Sequence, residues 1–552
     1  MTVPVTVPLP PERAGDARFG ASWRRLQAPD YDVERVLHDG VTGDWPADLP
    51  GRLVLGLSRL AAVAGREPRQ LRELVDALPG RLNAAGHLGP VHRDAADEQQ
   101  LAGHGWLVSG LLTYHRLAGD ERARHIALEI TRTLLLPVAA RLPGYPRRLP
   151  GDDTAGGASG SLVARGGGWL LSSDTYCVLI ALEGLVAAYA DTADPAIADA
   201  VEALAALAER DDLVAARAQL HATLTAARCL ADFHELTGSP RPLAVARRLY
   251  DTYAEHGRTA NAATWNWFGR PDSWTEPCAV TDSLLLALSL WRVTGESRYL
   301  EDAHAVEHNG LGHAQKPHGG FGLDTVTGPG QPWLSNVHPD AAWCCTMRGA
   351  VALAELRERT YQVRDVAGPG PATVSVDLPR DGTTPLALPG GELVLRQRTG
   401  HPFTGATSLE VVRSGLRGPV RIAFPLPSWA DRSATVTTAT GPGQARVEGP
   451  GLLLVAPAPG DRYTVDFPVG PRTVPASGDG RHVTLRHGVL LLGAVAADGG
   501  PAPRAPSDLA LTDPSRARYR YAGGVRLAPV AEVFHGTEQE AAGYRARVVF
   551  GA

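Results

Sequence analysis

The side chains best suited to chemistry fall in two places, Glu276-Pro277-Cys278 and the adjacent pair Cys344-Cys345. One carboxylate with three thiolates is a complete donor set for a tetrahedral zinc ion, which favours sulfur, imidazole nitrogen and carboxylate oxygen. In an extended loop residues i and i+2 point alike, so the E-x-C step is predicted to aim Glu276 and Cys278 at one point. The cysteine pair runs straight into a helical pattern, MRGAVALAELRERTY, and free N–H groups at a helix start favour a thiolate. Either stretch alone reads as small buried residues; together they read as a metal site. The chain has 5 cysteines, an odd number, and in a reducing compartment such a cluster favours metal or catalysis over disulfides.

Other residues are candidates for a pocket. Glu98, Gln99 and Gln100 form a polar run entering an apolar helix, suited to lining a sugar site or to capping the helix. Trp265, Trp267, Phe268 and Trp274 gather in one loop, either as a stacking wall for a flat substrate or as plain core. His304 and His308 have the i, i+4 spacing that can bind metal on a helix face. No carboxylate at E-x-x-H spacing accompanies them, so they are read as a solvated face. The GGFG run at 319–322 reads as a flexible loop and not a phosphate cradle, because no strand precedes it and no lysine follows.

The elements that must hold these residues repeat. Stretches beginning at Leu60, Thr113, Ala188, Asp232 and Ser289 each join a helix end, a short turn and a new helix with apolar residues at 3–4 spacing. Their turns fall at Gly65, Gly119, Asp194, Gly238 and Gly295. With the helix after Cys345, these predict six helical hairpins closed into an (α/α)6 toroid over residues 1–360; an open solenoid is the alternative. From Tyr361 the texture changes to short β-branched runs such as ELVLRQRT, TSLEVVRS and YTVDFPV, separated by turns such as APGDR. Residues 361–552 are therefore predicted to form one or more β-sandwich domains, with the Pro/Gly-rich stretch from Val366 as the junction. The tail segment YRARVVF is predicted to return to the sandwich.

At 552 residues the chain exceeds a single core, which stops growing at ~250–300 residues. A net charge of −5 provides no basic footprint for nucleic acid and no polybasic membrane patch. The proline-rich N-terminus lacks a signal-peptide pattern and no run approaches a membrane span, so the protein is expected to be cytoplasmic.

TEPCAVTDSLLLALSLWRVTGESRYLEDAHAVEHNGL followed by AAWCCTMRGAVALAEL resembles the core of the β-L-arabinofuranosidase family. The likeness extends upstream to QLAGHGWLVSGLLTYHRLAGD and QLHATLTAARCLADFHELTGS, and downstream to PLPSWADRSATV and RHGVLLLGA. It implies a zinc-dependent retaining glycoside hydrolase with an (α/α)6 barrel and β-sandwich appendages. Zn2+ would be held by Glu276, Cys278, Cys344 and Cys345, with Cys344 as nucleophile. His104 and His221 would contact a small-molecule glycoside, alongside Glu98, Gln99, Asn266, Trp265 and Trp267. The family's acid/base glutamate in the loop before E-x-C has no counterpart: Asn266 stands near its place and Asp272 is the only carboxylate there. Asp272 is accordingly the expected acid/base, because a retaining glycosidase needs a second group to protonate the leaving oxygen. Thr346-Met347 also replace the family's usual proline-rich turn. Two other readings remain: a non-hydrolytic tailoring enzyme (lyase, isomerase or cyclase) of specialised metabolism on the same fold, and a non-catalytic carbohydrate-binding protein with structural zinc. The protein is expected to act as a monomer or homodimer.

Overall fold

The computed structural model describes residues 5–7, 17–147, 160–364, 370–430, 434–439, 445–448, 451–476, 480–496, 504–505, 509–521, 525–533 and 545–552. Six inner helices form a closed ring: Asp48–Ala64, Glu98–Ala118, Ala181–Thr192, Leu220–Thr237, Pro277–Thr294 and Cys345–Glu358. Each packs on the next, and the sixth packs back on the first. Around them lie six outer helices, Arg69–Ala77, Glu121–Ile130, Pro195–Arg210, Pro240–His256, Ser297–Ala305 and Ala17–Arg25, each against its inner partner. This is an (α/α)6 toroid. Sequence explains the layering: Glu98–Ala118 is apolar on nearly every side and buried from Glu98 through Tyr114, whereas Arg69–Ala77 buries only Leu71, Leu74 and Val75.

The repeated turns close the inner helices in the left-handed conformation, where a Cβ is unwelcome. Gly119 and Gly238 adopt φ of 69° and 73°. In the third hairpin Ala193 takes this conformation at φ 52°, and Asp194 accepts from the Ala196 N–H to cap the next helix. The sixth hairpin is not contiguous: its outer helix, Ala17–Arg25, comes from the start of the chain. Ser22 and Arg25 tie it down through the Gly319 carbonyl and the Asp340 carboxylate.

After the toroid comes a β-sandwich. One sheet runs in the order Val5–Val7, Tyr361–Arg364, Thr373–Val376, Val420–Ala423, Gly451–Leu454, Ala445–Glu448. Its partner runs Gly382–Leu388, Gly391–Thr399, Thr407–Ser414, Arg462–Asp466, Thr435–Ala439. Alternating inward residues such as Val374, Ile422 and Leu452 meet Leu386, Leu395, Leu409 and Val465 in a separate core. The strand Val5–Val7 lies antiparallel to Tyr361–Arg364, so the start of the chain contributes to this sheet. Of the Pro/Gly-rich junction, residues 365–369 lie outside the described residues, and Thr373–Val376 is already a strand.

A further sheet, built mainly from residues 471–551, packs its Val483, Leu485, Leu490, Leu492 and Phe550 into the toroid's own core. The tail segment does not return to the two-sheet sandwich. Arg545–Arg547 pairs instead with Leu490–Ala496 and with Trp333–Leu334, a strand from a toroid loop. Among the described residues, no helix is long and apolar enough to cross a membrane.

Candidate metal centre and its cavity

Glu276 is the residue before the fifth inner helix and Cys344 the residue before the sixth. The E-x-C step is not an extended loop. Pro277, whose fixed φ suits the first helical position, starts the helix there, and Cys278 belongs to its first turn. Because these two helices are neighbours in the ring, their starts converge. One donor atom from each of Glu276, Cys278, Cys344 and Cys345 lies within 4.8 Å of the others. The Sγ of Cys345 is 3.5 Å from that of Cys278 and 3.2 Å from that of Cys344, and Cys344 Sγ is 4.0 Å from Glu276 Oε1. Zinc–sulfur bonds of ~2.3 Å give tetrahedral S···S edges of roughly 3.8 Å, close to this spacing.

The donor chemistry fits a cation. Glu276 is buried, and its Oε2 has no hydrogen-bond partner among the described residues. Burial, then the neighbouring Cys278, pushes the Glu276 carboxyl well up from its ordinary value. Burial also raises the Cys278 thiol to about 12, while hydrogen bonds from Cys278 and Cys345 draw Cys344 down to about 6. Four such groups packed without a counter-ion would have to stay largely protonated, and a dication removes that penalty. One cation is already present: Arg52 donates to Cys278 Sγ at 3.4 Å and is held by both oxygens of Asp48 at 2.8 Å.

A loop read as merely flexible braces the cysteine pair. The Phe321 N–H donates to Thr346 Oγ1 at 3.0 Å, and the Phe321 carbonyl accepts from Ala341. A Cβ at Gly349 would stand 2.3 Å from the Phe321 ring, so this helix needs glycine where the ring crosses it.

Beside the cluster opens a cavity of about 410 Å³, lined at the starts of four inner helices by Asp48, His221, Glu276 and Cys344, and by Asp174 from the loop after strand Trp169–Ser172, among others. Trp45, Trp274 and Trp343 supply its aromatic surface. His221 is the second residue of its helix, with Nδ1 3.9 Å from Glu276 Oε1 and Nε2 3.2 Å from Asp282 Oδ2. Trp106 stacks on His221 from below at 5.8 Å. Asp282 lies beneath, where Arg348, His221 and Arg228 outweigh burial and hold its carboxyl far below the usual range.

The structure brings only part of the expected pocket together. His104 sits in the second turn of its helix, away from the cavity lining, with Nδ1 on the Gln100 carbonyl at 2.7 Å and Nε2 accepting from Leu88 N–H at 3.1 Å. It is a satisfied core histidine. Glu98 accepts from Tyr145 Oη at 2.8 Å and Ser172 N–H at 3.1 Å, also off the cavity. Gln99 reaches the rim indirectly, donating to the Gly160 carbonyl, and Gln100 donates to the carbonyls of Leu88 and Pro90. Asn266 and Trp267 are fully buried, Trp267 behind Trp274 at 5.4 Å, and Trp265 packs into the core. Asp272 is not an acid poised over the cluster: its carboxylate is 65% exposed and ion-paired with Arg270, which lowers its pKa. The reach of its loop could not be read from sequence. Asp174, Arg52, Trp45 and Trp343 were missed because nothing in their local pattern marks them; Asp174 follows a short strand in a plain SSDT run.

No protein-family model and no curated protein matches the sequence. Solved structures do match in fold. A GH127 β-arabinofuranosidase superposes with TM-score 0.71 at 15% identity, covering 99% of this chain and 98% of that one. A structure described as a glycoside hydrolase gives TM-score 0.69 at 14% identity over 99% and 97%. A GH127 β-L-arabinofuranosidase from Geobacillus stearothermophilus T6 gives 0.68 at 14% over 98% and 94%. The chain therefore shares the whole architecture of these proteins, helical ring and β-sheets together.

Proposed function

We propose that the chain is a zinc-thiolate glycoside hydrolase of the β-L-arabinofuranosidase type, acting with retention on a small arabinofuranoside or related glycoside. The observation that carries this reading is that Cys344 alone of the three clustered thiols opens onto the cavity, while Cys278 and Cys345 are sealed behind it. Zinc held by Glu276, Cys278, Cys344 and Cys345 would keep Cys344 a thiolate at neutral pH. The Cys344 Sγ attacks the anomeric carbon, forming a C–S bond as the bond to the leaving oxygen breaks. Asp174 gives that oxygen its proton. In the second half Asp174, now a carboxylate, takes a proton from the water that attacks the same carbon, and the C–S electron pair returns to Cys344. Asp174 is preferred to Asp272 because it is buried in the cavity wall with Cys344, whereas the Asp272 carboxylate is largely exposed and off the cavity lining. His221 donates to a sugar hydroxyl, and the tryptophans face the ring's apolar side. In this reading residues 1–360 carry the chemistry and residues 361–552 support it. The substrate is a small molecule rather than nucleic acid or membrane, and the protein is a monomer or homodimer. Five unpaired cysteines suit a cytoplasmic setting.

Assays on aryl and alkyl β-L-arabinofuranosides test the proposal. Cys344→Ser should abolish turnover of both. Asp174→Asn should lose ~10²–10⁴-fold on alkyl substrates and less on activated aryl ones, with external azide restoring part of the loss. A parent protein that cleaves neither class would replace the hydrolase by a lyase, isomerase or cyclase on the same fold, or by a carbohydrate-binding protein with structural zinc.

A further inference from the structure

His304 and His308 do not form a solvated face. They stack at 6.2 Å between ring centroids, and His401 closes on both from the sandwich at 5.0 and 5.1 Å. His304 lies on the outer helix Ser297–Ala305, His308 in the irregular turn that follows, and His401 in the loop between strands Gly391–Thr399 and Thr407–Ser414. One ring nitrogen from each lies within 4.8 Å of the other two. Nδ1 of His304 and Nε2 of His401 are buried without a hydrogen-bond partner among the described residues, a costly state for polar atoms. Burial lowers the pKa of all three rings, so they stand neutral, the form that binds metal. The charged groups around them are Glu307, Arg380 and Arg18, and Glu307 forms an ion pair with Arg380. Neither the thiolate cluster nor the proposed hydrolysis uses these residues.

We propose that His304, His308 and His401 form a second metal site, a three-imidazole centre for zinc or a similar transition-metal dication at the junction of toroid and sandwich. Metal–nitrogen bonds of ~2.0–2.1 Å set N···N edges of roughly 3.4 Å, a contraction the present spacing of no more than 4.8 Å leaves within reach of side-chain rotation. His308 and His401 also line a cavity of about 680 Å³, which leaves a fourth coordination position open to a small ligand. The ion would join the outer helix to the sandwich loop through three bonds.

The full chain, stripped with chelator and titrated with Co2+, distinguishes the two centres by spectrum. The thiolate site produces an intense sulfur-to-metal band, and the imidazole site does not. The expected result is two equivalents bound, with His401→Gln or the His304→Gln/His308→Gln pair losing one and keeping the sulfur band. Cu2+ bound at the second site should show nitrogen hyperfine coupling in electron paramagnetic resonance. In the unsubstituted protein, Zn2+ should shield these three histidines from diethylpyrocarbonate, read by mass spectrometry, which guards against a variant that misfolds. One equivalent in the parent, carrying the sulfur band alone, with no shielding of the histidines, would overturn the proposal.

Discussion

Cys344 differs from the other two clustered thiols in what surrounds it. It lies at the start of a helix, faces the cavity and is hydrogen-bonded by Cys278 and Cys345, which draw its pKa down to about 6. Cys278 is sealed and raised to about 12 by burial. In chelator-treated protein, iodoacetamide should therefore alkylate Cys344 first, because the thiolate is the reactive form. A lowered thiol pKa means the thiolate appears as pH rises, so the rate should climb through about pH 6 and level off above it, and added zinc should suppress it. Peptide mapping that finds Cys278 or Cys345 labelled at the same rate would contradict the assignment. At this scale the Glu276, Cys278, Cys344 and Cys345 cluster was legible in the sequence, because thiols and a carboxylate at such spacing suit a common cation site. The pocket was not: His104 and His221 both sit near the starts of inner helices, yet only His221 faces the cavity, since a helical side chain's direction depends on how its helix is rotated in the ring.

Among the inner helices, Asp282 of the fifth acts as a tie. It accepts from Arg228 and Thr225 of the fourth and from Arg348 of the sixth, all buried. Asp282→Asn would leave the buried Arg348 without its carboxylate, while Arg228 keeps Glu183 and Asp232, and breaking a buried pair this way costs ~3–5 kcal/mol. Urea unfolding near neutral pH should show that loss. The sign with pH follows from the depressed pKa: the charge contributes stability above the ordinary carboxylate value of ~3.9, and this is lost as pH falls below it. The gap between the parent and Asp282→Asn should thus narrow on acidification, and a gap independent of pH would sink this account. The ring itself was readable from turns such as Gly119 and Gly238, since a left-handed helix end selects glycine. Closure into a toroid was readable too, but not the source of its last outer helix, because Ala17–Arg25 comes from the far end of the chain, a long-range pairing that leaves no local periodic mark.

For the molecule as a whole, the decisive feature is that the toroid's core does not end with the toroid. Val483, Leu485, Leu490, Leu492 and Phe550 belong to the same buried cluster as the inner helices, while the two-sheet sandwich has a core of its own. Asn309, in the irregular turn after Ser297–Ala305, binds both neighbours of Leu490, donating to the Val489 carbonyl at 3.0 Å and accepting from Leu491 N–H at 2.7 Å. Sequence alone could mark these segments as strands but not their partner, because an apolar strand face is equally suited to a sheet or to a helical ring. Each side chain buried there is worth ~1.5–3 kcal/mol, so five of them approach the whole ~5–15 kcal/mol that typically separates a folded domain from its unfolded state. Deleting residues 471–552 should therefore leave a toroid that aggregates or melts far below the full chain. Calorimetry of the full chain should find the toroid and this last sheet unfolding in one transition, even if the sandwich melts separately. A truncated chain that stays monomeric, keeps its helical circular dichroism and binds zinc at Cys344 would show instead that the ring stands alone. The last sheet would then be an accessory to the core, not part of it.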